Sequence, residues 1–215
     1  MTEPVLRRAA ELAEEDIGSL TWDPNHNSDL LSVAADRRCV EWGPRKDTYK
    51  GDYPPAWVPI RSEAHLHSGL FTWDFTVDEL ARGQLGIGFM LQWDQGLDWG
   101  FYGYLGAGTT AWSYDPSTGD VVTDTRSIAG GLTAFGDTGR GVVSVHLELP
   151  RTRAGAGTFV VNGNSSPPIP LPAGAVVVPA ACLLREGQRV RLGDLSRIPI
   201  AEPAPKSLWQ RLLGR

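Results

Sequence analysis

Phe71-Thr72-Trp73-Asp74-Phe75-Thr76-Val77 alternates large apolar residues with polar ones at every step. A strand sends successive side chains to opposite faces, so this run has one aromatic face to bury and one polar face to leave wet. The pattern recurs outward from it. Leu85, Ile87, Phe89, Leu91 and Trp93 alternate with small or polar residues, including Gly86 and Gly88, whose lack of bulk lets another segment come close. Val143, Val145, Leu147 and Leu149 alternate with Ser144, His146 and Glu148, and Arg189 to Leu192 alternates again. Thr158 to Val161 runs into Asn162-Gly163, a dipeptide suited to the positive φ angles of a tight hairpin. Val176 to Leu183 is a nearly unbroken apolar run, as expected of a central strand covered on both faces.

Strands recurring roughly every 8–15 residues, with almost no helix between them, imply antiparallel pairing. Two sheets packed face to face are the economical closure. The predicted fold class is therefore all-β, a two-sheet antiparallel sandwich with a short helix at each end. Thr2 to Asp16 reads as the first helix, with Val5, Leu6, Ala9, Leu12 and Ala13 on one stripe and Pro4 in the first turn. After Pro199, Pro203 and Pro205, Ser207-Leu208-Trp209-Gln210 reads as a capping box opening the second. The expected organisation is 1–19 helix, 20–198 sandwich, and 199–215 linker and amphipathic helix.

The bulk properties agree with a globular domain. The chain has 215 residues, 41% hydrophobic and 21% charged, enough for one domain with a full core. The net charge of −5 excludes the basic footprint of a nucleic-acid binder. The early charges Glu3, Arg7, Arg8 and Glu11 do not read as a signal peptide, and no apolar run approaches the roughly 20 residues of a membrane span. Cys39 and Cys182 both fall within apolar strand-like runs and are expected as buried free thiols. A cytoplasmic location follows as the expectation.

The order of these runs resembles the PRY-SPRY family. Leu20-Thr21-Trp22-Asp23-Pro24, Leu30-Leu31-Ser32-Val33, Asp36 and Val40-Glu41-Trp42-Gly43 are similar to the PRY segment. His67-Ser68-Gly69 before Phe71-Thr72-Trp73-Asp74-Phe75 resembles the start of a SPRY domain. Leu85 to Phe89, Asp98-Trp99-Gly100 and Trp112-Ser113-Tyr114 look like its next strands. Gly141 to Gly163, Val178 to Ala181 and Gly187 to Leu192 look like its closing ones. The likeness covers roughly residues 20–195 and rests on order and spacing, since each motif alone is short. The chain departs from the pattern at Asp74 and Phe75, where Glu and Val are usual, and at Pro150 to Gly157, which reads as a long, loose loop. The terminal segments resemble no RING finger, B-box, coiled coil or SOCS box, so the ubiquitin-ligase roles of many SPRY proteins gain no support.

The resemblance implies a concanavalin-like sandwich whose loops bind a protein or peptide, with no catalysis and no cofactor. Carried over by position, its contact loops are Tyr49 to Trp57, Tyr102 to Trp112, and Leu184-Arg185-Glu186. The candidate partner-binding residues are Tyr53, Pro54, Trp57, Tyr102, Tyr104, Trp112, Leu184 and Arg185. Exposed Trp, Tyr and Arg suit this role, because they combine contact area with a polar handle. On this reading Trp112→Ala and Arg185→Ala leave folding intact and weaken binding. Trp73, Trp93 and Trp99 are assigned to the core.

Other chemistries have weaker signals. Glu63, His65 and His67 share one face if they lie on a strand, but the other histidines and both cysteines lack ligand spacing, so no metal site is assigned. Asp94, Asp98 and Asp115 read as turn residues before they read as glycosidase carboxylates or calcium ligands. No nucleophile elbow, phosphate loop or Cys-x-x-Cys occurs, and no catalytic residue is assigned. A carbohydrate-binding, lectin-like module is the alternative. The last helix has two readings, packing on the sandwich or docking a second protein; neither it nor the rest of the chain points to membrane binding.

Overall fold

Residues 69–79 form the longest strand, and its neighbours define the fold. In the computed structural model, the described residues are 19–25, 30–43, 57–80, 85–92, 105, 110–124, 126–136 and 139–200. Both predicted terminal helices lie outside them. Strand β4 (Gly69–Glu79) buries Phe71, Trp73, Phe75 and Val77 and turns Leu70, Thr72, Asp74 and Thr76 outward, as the alternation requires. It pairs along its length with β9 (Gly141–Leu149), Trp73 opposite Val145 and Phe75 opposite Val143.

Around this pair a nine-stranded antiparallel sheet is built. Its path runs β1 (Leu31–Val33), β2 (Cys39–Trp42), β14 (Arg189–Leu192), β4, β9, β10 (Gly155–Val161) and β11 (Asn164–Ser165). Two short strands lie off the path, β12 (Ile169–Leu171) on β10 and β15 (Ser196–Ile198) on β4. The second sheet has six strands. Its order is β3 (Val58–Arg61), β13 (Val177–Leu183), β5 (Gly86–Leu91), β6 (Ala111–Asp115), β7 (Asp120–Thr123) and β8 (Arg126–Ala129). β13, the apolar run, is paired on both sides and buried throughout.

The two inner faces meet through aromatic rings. Phe89 of the smaller sheet stacks on Phe159 of the larger one with centroids 5.6 Å apart, and tilts against Trp112 at 5.4 Å. Trp22 stacks on Phe75 at 6.2 Å, while Trp73 meets Phe75 edge-on at 6.1 Å. Each such contact adds about 0.5–1.5 kcal/mol to the area buried. Trp73 is thus in the core as expected; Trp93 and Trp99 lie outside the described residues. Cys39 and Cys182 are buried and free.

Two local expectations meet different outcomes. Asn162 and Gly163 have φ of 50° and 79°, the left-handed pair of a tight hairpin, and they join β10 to β11. Gly163→Ala is expected to cost about 1–2 kcal/mol, because a Cβ disfavours that conformation although space around it is open. A chemical denaturation midpoint unchanged by the substitution would contradict this. The segment from Pro150 to Gly157, by contrast, is not a long loose loop. β10 already begins at Gly155, where it pairs with Leu171 of β12, and Ala156 and Gly157 pair with both β9 and β12. The glycines there serve close approach. A Cβ on Gly155 would stand 2.1 Å from the Glu148 carbonyl oxygen, and one on Gly157 would stand 2.6 Å from the Phe89 ring.

Candidate functional site

The outer face of the smaller sheet carries a second apolar cluster, separate from the core. Because β13 alternates, Val177, Ala181 and Leu183 enter the core while Val178, Ala180 and Cys182 face outward. Met90 and Ala111 join them from the neighbouring strands, and Leu105 and the half-buried Trp57 pack over the set. The Leu105 backbone N–H donates to Cys182 Sγ at 3.1 Å. Burial pushes the Cys182 thiol up to about 12, so it stays protonated and acts as a packing atom and weak acceptor.

The same strand leads into the loop at Leu184. Antiparallel pairing sets Leu183 opposite Val58, which brings Leu184 and Trp57 out at the same end of β3 and β13. Leu184 is half-buried, and Arg185 and Glu186 are exposed. Among the described residues the Arg185 guanidinium makes no hydrogen bond or ion pair.

This loop is held from beneath by Gln188, which is fully buried. Its Oε1 accepts the backbone N–H groups of Leu184 at 2.6 Å and Arg185 at 3.0 Å. Its Nε2 donates to the Leu80 carbonyl at 3.2 Å, tying the loop to the end of β4. Gly187 has φ of 86°, where a side chain is disfavoured, and the Gln188 N–H closes the turn on the Arg185 carbonyl at 3.2 Å. The loop thus presents Leu184 and Arg185 on a fixed backbone whose first two donors are already used.

Of the sequence-predicted segments, Trp57 and Leu105 pack on the cluster that holds Cys182, and the strand register sets Leu184 at the same end of the sheet as Trp57. Tyr53, Pro54, Tyr102 and Tyr104 lie outside the described residues. Trp112 does not belong to this surface. It lies within β6, is 8% exposed, and its ring packs inward on Phe89. The expectation that Trp112→Ala would leave folding intact is corrected accordingly, since removing a core tryptophan opens a large cavity.

The weaker candidates have local explanations. Residues 63–67 form no strand, so Glu63, His65 and His67 do not share a strand face. Glu63 accepts from Thr21 Oγ1 at 3.0 Å and from Arg37 at 2.6 Å. Burial, aided by the nearby Arg61 cation, holds the His65 imidazole below its usual range. Among the described residues no group of three His, Cys, Asp or Glu side chains is placed to hold a metal. Asp115 is buried, which raises its carboxyl above the usual range, and it accepts Ser117 N–H at 2.8 Å and Ser117 Oγ at 2.6 Å within its own turn. Asp94 and Asp98 lie outside the described residues.

Solved structures of similar fold include SPRY domains. A human SPRY domain superposes with a TM-score of 0.57 at 15% identity, over 76% of this chain and 94% of that one. The fold is that of the SPRY domain. The SPRY domain of human HERC1 gives 0.54 at 14% identity over 80% and 97%, and the TRIM65 PSpry domain gives 0.51 at 14% over 90% and 99%. No family model and no curated protein matches the chain. At such identities the SPRY likeness describes architecture. The residues that act on this SPRY fold have to be argued from their own geometry.

Proposed function

We propose that this chain is a non-catalytic binding module that takes a protein or peptide at the end of β3 and β13, with Trp57, Leu184 and Arg185 as contacts. The observation that carries the reading is the Gln188 clamp. It fixes a half-buried leucine and an exposed arginine, unpaired among the described residues, at the same end of the sheet as a half-buried tryptophan. A preordered loop loses little entropy on binding, and apolar area next to one cation fits a peptide with an apolar side chain and a nearby carboxylate. Tyr53, Pro54, Tyr102 and Tyr104, on the segments leading to Trp57 and Leu105, extend this proposed surface.

A glycan reading is less well supported here. Sugar recognition needs several fixed hydrogen-bonding groups; the Leu184 and Arg185 backbone donors are engaged by Gln188, and the Arg185 guanidinium sits at the end of a long exposed side chain. The two buried, unpaired thiols accord with a reducing, cytoplasmic setting for such an adaptor.

The test is affinity capture from native lysate with the full chain and with a Leu184→Ala/Arg185→Ala variant, beside a glycan array. A discrete protein is expected on the parent chain, with the variant weakened at least about ten-fold, the effect of losing a hot spot near 1.4 kcal/mol. Melting should be nearly unchanged, since Arg185 is exposed and Leu184 lies at the rim. Equal capture by both forms, or glycan binding alone, would refute the assignment.

A further inference from the structure

The outer face of the nine-stranded sheet has two different ends. At the β14 end it is laced with ion pairs: Arg189 to Glu41 at 3.2 Å, Arg191 to Asp36 at 3.2 Å and to Asp78 at 3.9 Å, and Arg38 to Asp194 at 2.5 Å. At the start of β4, beside the ion pair of Glu148 with Arg153, it carries exposed apolar side chains. Leu70 is 41% and Ile198 59% exposed, and the β4–β15 register places them directly opposite each other. Val142, 45% exposed, is on the same face beside Thr76. Most side chains this apolar are buried in the fold, so an adjacent uncovered pair calls for an occupant.

The described part of the chain ends beside this patch. Ile198 ends β15, and the described residues stop at 200. Residues 201–215 follow, and in them Leu208, Trp209, Leu212 and Leu213 recur at helical spacing after the Ser207 cap. The linker 201–206, extended by Pro203 and Pro205, spans roughly 18 Å at about 3.1 Å per residue. The outer face from Leu70 to Thr76 is about as long, six steps of about 3.3 Å. Charge favours the same meeting. Residues 201–215 hold Lys206, Arg211 and Arg215 against Glu202, a balance of 3 − 1 = +2, which leaves −5 − 2 = −7 on the other 200 residues.

We infer that the segment Leu208–Leu213 of the same chain docks its apolar stripe on the Leu70–Ile198 patch, placing a helix over the outer face of the larger sheet. A nine-residue helix is marginal alone in water, so its formation depends on the surface it covers.

Hydrogen exchange on the intact chain tests this. Amides 208–213 are expected to exchange at least about ten-fold more slowly than in a free peptide of residues 201–215, since protection there measures docking. In a Leu70→Thr/Ile198→Thr variant, which keeps β-favourable residues at exposed positions, the rates should approach those of the free peptide. Peptide-like rates in the parent chain would overturn the inference. So would protection that survives the double substitution, or protection lost on dilution, which would assign the occupant to a second copy.

Discussion

Phe89→Ala is expected to lower the stability of the fold by about 3–5 kcal/mol, the usual cost of emptying a buried phenylalanine site. Phe89 is fully buried and touches both sheets' aromatic sets, Trp112 beside it and Phe159 across the interface. Its ring also fills the space that Gly157 leaves open on β10. Truncation therefore strips partners from three positions at once, and the strands on either side cannot close the gap without breaking their ladders. In a chain of this length each kcal/mol moves the thermal midpoint by about 2–4 °C, so a fall of roughly 6–20 °C is expected. A fall under about 3 °C would mean that the sheets do not meet at this ring.

Gln188→Leu is the second large effect, and it acts on the loop as well as on stability. The amide side chain is fully buried and hydrogen-bonds to backbone at the Leu184 and Arg185 N–H groups and the Leu80 carbonyl. An apolar replacement leaves the Leu80 carbonyl and the Leu184 N–H without that partner, at about 1–3 kcal/mol each. The Arg185 N–H, at an exposed position, can turn to water. A total of about 2–6 kcal/mol is expected. Hydrogen exchange at Leu184 and Arg185 should quicken beyond what the global loss explains. Gln188→Glu keeps the acceptor but buries a charge and loses the donor to Leu80, so it should be at least as harmful. Full stability in both variants would show that the clamp is not what holds the loop.

The fold was legible wherever one face of a strand is wet. β4 and β9 alternate cleanly because their outer faces are mostly polar while their inner faces enter the core, and Asn162-Gly163 marks its own turn by the φ angles it needs. Legibility fails where both faces are covered. Ala111 to Asp115 is buried at every position, so the run has no period to tell which way Trp112 points, and its ring faces the core where position alone suggests a contact residue. Glycine misled in the same way. Gly155 and Gly157 have the composition of a loop, yet they sit in a strand because a neighbouring carbonyl and the Phe89 ring occupy the space of their side chains. Pro59 hides β3, since proline is tolerated on an edge strand but weakens its pattern.

The candidate site was legible only in part. Trp57, Leu184 and Arg185 are expectations carried by position in a resemblance, and the pairing of Leu183 with Val58 sets Trp57 and Leu184 at one end of the sheet. Gln188 carries no signal in the sequence. A glutamine between Gly187 and Arg189 reads as a polar strand residue, and its role depends on Leu80, which lies far away along the chain.

The most direct test of the central claim is selection of a displayed peptide library on the intact protein, followed by affinity measurement on the parent chain and on Leu184→Ala/Arg185→Ala. The account predicts enriched peptides that combine an apolar side chain with an acidic one and lose at least about ten-fold in affinity on the variant. Peptides that bind both forms equally, with the variant's fold intact, would contradict it and place recognition elsewhere on the sandwich.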